Sequence, residues 1–255
     1  MRSPPQNPIV IIPARMGSAR LPGKPLALIA DDPMIVHCWR KALQADIGPV
    51  VVACAEKEIA EVIENVGGTS VLTNADLPSG SDRVAEAIDK LDPNKEYDAI
   101  INLQGDLPTL DPECIKRAFK VLENPEVDIA TLVSPITNDE ERFNPNVVKA
   151  VLSIKKNPNQ GRALYFSRSV VPSGDGYHYH HIGIYAYRRE ILEEFIDLPI
   201  SGLEERERLE QLRALESGMR IDAALVDTVP VGVDTPSDLE YARAIVNKLN
   251  LKNTT

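Results

Sequence analysis

Residues 8–26 read PIVIIPARMGSARLPGKPL, and the break after Ala14 in that stretch decides the fold. The apolar run Pro8 to Ala14 has the length and β-branched content of a buried strand. It empties into a loop that carries three cations, Arg15, Arg20 and Lys24, together with Gly17, Gly23, Pro22 and Pro25. In an open α/β sheet the ligand binds beyond the carboxyl end of a strand, where such a loop stands. A P-loop would need four residues between its first glycine and the Gly-Lys pair, then Ser or Thr and a helix. Here five residues separate Gly17 from Gly23-Lys24, and Pro25 follows the lysine. Prolines on both sides of the lysine disfavour a helix start on that pattern, and no GxGxxG fingerprint is present. What remains is a stiffened irregular loop with backbone N–H groups at its glycines. It can wrap a triphosphate through charge-assisted bonds, or be a surface turn with solvated cations.

Outward from this loop, short β-branched runs alternate with helical patterns. PMIVHCWRKALQAD (33–46) places Ile35, Cys38, Trp39, Ala42 and Leu43 on one helical face. PVVVACA (49–55) predicts a strand and EIAEVIENV (58–66) a helix that stops at Gly67-Gly68. Further strands are expected at TSVLT (69–73) and YDAIINLQGD (97–106), with helices at 81–91 and from Pro112 to about Leu122. Beyond lie strands near 127–134, 146–154 and 181–187, and helices near 188–196 and 203–217. Strands near 221–226 and 229–233 and a helix from Pro236 to about Asn250 close the chain. Strand–helix alternation of this kind implies an α/β protein with a mostly parallel sheet covered on both faces. The stretch 155–180, KKNPNQGRALYFSRSVVPSGDGYHYH, breaks the rhythm with Pro, Gly and polar residues and predicts an excursion.

Composition narrows the function classes. With 255 residues, 43% hydrophobic, the chain can bury a sizeable core in one large domain. Its net charge of −10 argues against general nucleic-acid binding, which needs a basic surface; the loop cations are therefore local. No apolar stretch approaches the roughly 20 residues that span a bilayer. The start, MRSPPQNP, is too polar for a leader and predicts a frayed tail. Three scattered cysteines, Cys38, Cys54 and Cys114, point to neither a disulfide framework nor a zinc site, so a reducing cytoplasm is expected.

Two carboxylates stand at strand ends. In NLQGD, Asp106 follows an apolar strand beyond Gly105; such an acid suits Mg²⁺, which shares oxygen ligands with phosphates, or a plain turn. In VGVDTPSDL, Thr235, Pro236 and Asp238 fit a helix N-cap, N1 and N3. That leaves Asp234 unexplained at the end of another apolar run, and the pair could clamp Mg²⁺ on a nucleotide. SGSDR (79–83) fits a helix N-cap. In YHYHHIGIYAY, strand alternation puts His178 and His180 on one face and His181 on the other, which disfavours a shared metal. An inner-face His recognising an anionic ligand fits better. LEERERLEQLRALESG (203–218) is a helix whose charges, by composition, form a solvated face. No Gly-x-Ser-x-Gly elbow or other nucleophile pattern supports covalent catalysis.

Together IIPARMGSARLPGKPL, SGSDR, NLQGD, NPNVVK, ALYFSR, HIGIYAY, LEQLRALE and GVDTPSDLE resemble the 3-deoxy-manno-octulosonate (Kdo) cytidylyltransferases, in order from about residue 9 to 246. The first loop is shared with other nucleotidyltransferases; ALYFSR, the His-x-Gly-Ile-Tyr segment and LEQLR are more specific. The resemblance implies a nucleotide-diphospho-sugar transferase fold over 8–250 as a single domain: a mixed, mainly parallel sheet flanked by helices, with a small homodimer-contact and sugar-pocket excursion around 155–200. It implies Mg²⁺-dependent transfer of CMP from CTP to Kdo in cytoplasmic lipopolysaccharide synthesis. By motif, Arg15, Lys24, Asp106 and Asp234 would be catalytic, the two aspartates holding Mg²⁺. Ala14, Arg15, Ser18 and Lys24 would bind the triphosphate, Ser79 and Ser81 would lie where cytosine is read, and Gln104 would reach nucleotide and sugar. Arg168, His181, Tyr185, Glu210 and Gln211 would line the sugar-acid pocket. Departures from the family's habits are Leu107 where an acid is common, His180 where Lys or Arg is common, the ending ALESG, and the loop variant MGSAR. They bear on the acceptor, which could be 8-amino-Kdo or a sialic-acid type. A methylerythritol acceptor, or a nucleotide-binding module without catalysis, is the further alternative. Roles for Arg20 and His180 are not implied.

Overall fold

The structure, a computed structural model, describes residues 2–155 and 157–253. In chain order the elements are β1 (Pro8–Ala14), a 3-10 turn (Lys24–Leu26), β2 (Leu28–Ile29), β3 (Asp32–Pro33), α1 (Met34–Ala45), β4 (Val50–Cys54), α2 (Lys57–Asn65), β5 (Thr69–Leu72), α3 (Gly80–Leu91) and β6 (Ala99–Asn102). There follow α4 (Pro112–Val121), β7 (Ile129–Pro135), α5 (Asp139–Phe143), β8 (Lys149–Ile154), β9 (Gln160–Ser167) and β10 (Tyr179–Arg188). The last are α6 (Arg189–Asp197), α7 (Gly202–Glu207), α8 (Gln211–Glu216), β11 (Ile221–Leu225) and α9 (Pro236–Asn253). The chain divides into two compact units. One comprises 7–97, 101–115 and everything from Pro230; the other comprises the first six residues, 98–100 and 116–229.

In the first unit β1 pairs in parallel with β4, Val10 opposite Val50, and β4 with β5. β6 neighbours β1 on its other side. β1 and β4 are buried nearly throughout, as a strand covered on both faces must be. β1, α1, β4, α2 and α3 lie within one residue of their expected bounds, because strong periodicity and punctuation frame each. α1 buries Met34, Ile35, Cys38, Trp39 and Ala42. α9 packs through Leu239, Ala242 and Val246 onto Ile29, Met34, Cys38 and Val233. No strand forms at 229–233; Val233 is drawn into that cluster as a buried loop residue. β6 ends at Asn102 rather than running to Asp106: Leu103 N–H still reaches Ile11 O at 3.1 Å, after which the chain turns away.

In the second unit the strand order is β10-β7-β11-β9-β8, and β8 also pairs with the start of β10, Ala150 opposite Tyr179. The expectation of a mainly parallel sheet fails here. β7–β11 is parallel, whereas β7–β10, β8–β10, β8–β9 and β9–β11 are antiparallel. The stretch 155–180 is not all excursion either: β9 joins the sheet with Ala163 and Phe166 buried. The helix expected over 203–217 is two. α7 starts on a capping box between Ser201 and Glu204 and stops at Arg208, left-handed at φ 56°, before α8 begins. The expected frayed tail is tied down. Arg2 pairs with Asp128, Ser3 O accepts from Arg188 Nη1 at 3.0 Å, and Gln6 N–H donates to Asp98 at 2.7 Å. Of the three partners the guanidinium of Arg188 is buried, and Ser3 O satisfies one of its donors.

Candidate active site

β1 delivers the chain to the loop, and the loop closes on itself. Gly23 N–H donates to Met16 O at 3.2 Å, and Leu21 N–H to Ser18 Oγ at 3.3 Å. Met16 N–H is held by the Glu56 carboxylate at 3.0 Å. Gly23 sits at φ 71°, a conformation that favours glycine, and turns the chain into the single 3-10 turn 24–26 on buried Pro25. That turn is as much helix as the prolines allow.

The lysine so placed reaches both strand-end acids. Lys24 Nζ lies 2.7 Å from Asp106 Oδ2 and 3.0 Å from Asp234 Oδ1, with its side chain 16% exposed. Burial pulls the Lys24 pKa down, but the charge and hydrogen bond of Asp106, then those of Asp234, outweigh it, and the net shift is upward. Arg20 takes the other oxygen of Asp234 at 3.0 Å, on the exposed side. Backbone fixes both acids. Gly105 sits where a Cβ would lie 3.0 Å from Pro13 O, so the segment bearing Asp106 lies closer to β1 than a side chain would sit without a shift. Val233 N–H donates to Asp106 O at 3.0 Å, joining the two acid-bearing segments. Thr235 and Asp238 form the expected cap: Asp238 N–H donates to Thr235 Oγ1 at 3.2 Å, and Thr235 N–H to Asp238 at 2.8 Å. Burial alone would raise the Asp238 carboxyl; bonds from Thr235 and the Asp234 N–H bring it below the ordinary range. Asp234 therefore keeps its side chain for the loop cations.

A cavity of about 420 Å³ in this unit gathers Arg15, Ser18, Lys24, Gln104, Asp106 and Asp234. Ala14 and Ser79 also line it. Ser81 does not: it is buried, its Oγ facing Asn102 Nδ2 at 3.5 Å. Ser79 is the N-cap of α3, accepting from Asp82 N–H at 3.1 Å, so it serves helix and cavity at once. Sequence reasoning missed Arg83. It lines the cavity yet is 2% exposed; Nη1 donates to Thr73 Oγ1 at 2.6 Å and Asn74 O at 3.0 Å, while Nη2 is buried with no partner. Burial, then the like charge of Arg15, lowers its pKa. The available signal was position: Arg83 shares the inward face of α3 with Val84, Ala87 and Ile88.

The donor set fits Mg²⁺. Two carboxylates offer hard oxygens, and an ammonium already stands between them as a cation. Among the described residues no three His, Cys, Asp or Glu side chains cluster as a metal site, so phosphate and water oxygens would complete the shell.

The remaining expected residues belong to the second unit, Gln104 excepted. His181 is buried, edge-on to Phe166 at 4.8 Å and 5.6 Å from the Tyr185 ring. Burial, then His180, lowers its pKa to about 3, so the ring is neutral and offers hydrogen bonds instead of charge. Its Nε2 lies 3.0 Å from Thr131 Oγ1. Burial keeps Tyr185 protonated far above its usual range. Gln211 is buried with Nε2 unpartnered, and Glu210 precedes it at the N-cap of α8. Leu209, Gln211 and Leu212 are all buried, so LEQLR is not the solvated face its composition predicts. Arg168 donates from Nε to Glu207 O at 3.0 Å and from Nη1 to Pro145 O at 3.2 Å. Glu207, also missed, gathers Ser167 Oγ at 2.8 Å and Arg168 N–H at 3.1 Å. His180 is paired with Glu141.

Residues 9–221 match the family described as Cytidylyltransferase. A relative from Paramagnetospirillum magneticum, called 3-deoxy-manno-octulosonate cytidylyltransferase, is 63% identical over 94% of this chain and 98% of its own length. One of the same name from Rhodospirillum rubrum is 60% identical over 94% and 95%. Among solved structures, CMP:2-keto-3-deoxy-manno-octonic acid synthetase complexed with CTP superposes with a TM-score of 0.87 at 38% identity, covering 95% of this chain and 99% of that one.

Proposed function

The chain belongs to the cytidylyltransferase family, among its 3-deoxy-manno-octulosonate members, and from that premise we propose that it transfers CMP from CTP to Kdo. The observation that carries the reading is the cavity in which Lys24 meets Asp106 and Asp234 beside Arg15. The anomeric 2-hydroxyl oxygen of Kdo forms the new bond to the α-phosphorus of CTP. The bond from that phosphorus to the bridging oxygen breaks, pyrophosphate departs, and the hydroxyl proton goes to solvent. Such a transfer depends on positioning and charge neutralisation more than on covalent chemistry. Arg15 and Lys24 bind the triphosphate and offset charge building on pyrophosphate. Ser18 and the loop backbone orient the phosphates, and the α3 N-terminus at Ser79 lies at the nucleoside end. Asp106 and Asp234 would hold Mg²⁺, which when bound would supply charge neutralisation at the phosphates and acidify the attacking hydroxyl.

Arg168, His181, Tyr185, Glu210 and Gln211 serve acceptor recognition, and Gln104 serves the nucleotide cavity. A neutral His181 and a protonated Tyr185 suit a polyhydroxylated sugar, and Arg168 its carboxylate. The span 8–250 works as one catalytic domain. The protein is cytoplasmic, serves lipopolysaccharide synthesis, and pairs as a homodimer through 155–200, where Leu164 and Tyr177 are exposed; sedimentation would reveal a monomer if that pairing is wrong. Pyrophosphate release tests the activity, run with CTP against UTP and with Kdo against its 8-amino analogue and a sialic acid. The expected result is release with CTP and Kdo; release with another acid alone would move the acceptor, and none with any acceptor would leave only a nucleotide-binding module.

A further inference from the structure

Lys24 stands where a cation shared by Asp106 and Asp234 would stand. Its ammonium contacts one oxygen of each acid, at 2.7 and 3.0 Å, and Arg20 contacts the remaining Asp234 oxygen at 3.0 Å. Two of the three ammonium donors are thus spent on carboxylates, leaving one for a phosphate, and the ammonium fills the space between the acids that a shared metal would take. We propose that Lys24 is a placeholder cation: without nucleotide it occupies the position between the two acids, and the triphosphate draws it away as the acids take up the metal. This rests on the proposed assignment of Asp106 and Asp234 as metal ligands and gives Lys24 a positioning role beyond its phosphate contact.

Three features support the exchange. The lysine follows a left-handed Gly23 and a one-turn 3-10 helix, so its backbone is anchored while its four-carbon stem swings. The acids are anchored independently, Asp106 by the Gly105 approach to β1 and Asp234 by the α9 cap. They therefore need not move when the ammonium leaves. The cavity also gives the ammonium a destination, since Arg15 and Ser18 line it beside Lys24. The placeholder keeps two facing carboxylates from repelling each other in the resting protein, and makes metal uptake conditional on nucleotide. Coupling between two ligands is a free energy that each exerts on the other.

The test measures Mn²⁺ binding to nucleotide-free protein, with free Mn²⁺ read by its electron paramagnetic resonance signal. Wild type should bind weakly. Lys24→Met and Lys24→Gln, either sufficing if the other misfolds, should bind about 10-fold tighter, within the 5–150-fold span of such couplings. Arg15→Met removes a cation from the same cavity, one that lies beside Arg83, and should shift Mn²⁺ affinity far less. Adding Asp106→Asn to the Lys24 variant should abolish the gain. Equal effects of the Lys24 and Arg15 variants, or no gain at Lys24, would overturn the placeholder. A separate arm adds a CTP analogue whose α,β-bridge is methylene. If Asp106→Asn leaves Mn²⁺ binding unchanged in that ternary complex, the metal assignment itself fails, whatever Lys24 does.

Discussion

Gly105→Ala isolates how tightly the acid-bearing segment must lie against β1. The added methyl would sit 3.0 Å from Pro13 O, 3.1 Å from Ile35 Cδ1 and 3.4 Å from Ile12 Cγ2. Ile35 can turn its terminal methyl aside, but Pro13 O is backbone of a strand bonded in register to β4. Relief therefore comes from the 104–106 segment moving by a few tenths of an ångström. Overpacking of this kind costs about 1–3 kcal/mol, and the mobile Ile35 end places the cost near the lower bound. For a chain this size that is a melting shift of about 2–4 °C. Function should suffer more than stability, because Asp106 is the next residue. A misplacement of about 1 Å costs about 10²-fold in rate, so a shift of a few tenths should lower kcat about tenfold with little change in the KM for CTP. Pyrophosphate release at saturating CTP, Kdo and Mg²⁺ measures this, beside a thermal melt. Gly80→Ala is the stability control, since its methyl meets Pro13 Cγ at an ordinary 3.5 Å and should not lower the melt. A Gly105→Ala enzyme with unaltered kcat and a lowered melt would refute the claim that this approach aims Asp106.

Asp106→Asn should cut kcat at least 10²–10³-fold, the loss typical of removing a preorganised charge contact; near-normal turnover at saturating CTP and Mg²⁺ would sink its metal role. Arg83→Met should weaken CTP binding about 10–100-fold by calorimetry, the worth of a charged hydrogen bond, while leaving the melt unchanged or raised, because the variant no longer buries a partly unpaired guanidinium. Acid stability should report His181. Its folded pKa of about 3 lies below the unfolded 6.5, so the unfolded state takes up a proton between those values. Its contribution is complete above about pH 6.5 and falls by up to about 1.4 kcal/mol per pH unit below it; urea midpoints from pH 7 to 4 should lose that slope in His181→Asn. Glu207→Ala strands donors from Ser167 and Arg168 and should cost about 1–3 kcal/mol, with a raised KM for Kdo and an unmoved KM for CTP if Glu207 positions Arg168.

The first unit was legible because its signals are local. Pro8–Ala14 is apolar throughout, Gly67 ends α2 at φ 81°, and Thr235-Pro236 starts α9 as its side chains dictate. The site's charges were legible too, since Arg15, Asp106 and Asp234 stand at the ends of apolar runs and Lys24 shares the Gly/Pro loop that Arg15 opens. Their pairing was not. That Lys24 bridges both acids depends on Gly23 and Gly105 fixing backbone paths that no periodicity encodes. Arg83 is hidden for a related reason: SGSDR is fully accounted for by a helix cap, and nothing in it marks the last residue as part of a cavity wall.

The second unit resisted because its organisation is non-local. β9 pairs with β8 nearby and with β11 some sixty residues on, Arg162 opposite Asp222, and alternation within QGRALYFS gives no hint of the distant partner. The helix at 203–217 failed differently. Its residues all favour helix, and composition cannot foresee a left-handed break at Arg208. The break lets Glu207 bond the end of β9 through Ser167 and Arg168, and frees Gln211 to turn inward. A continuous helix would keep Glu207 and Gln211, four residues apart, on one face. The local strain at Arg208 is thus offset by contacts that only the folded sheet supplies, and the residues nearest it include Arg168, Glu210 and Gln211, which we propose for acceptor recognition.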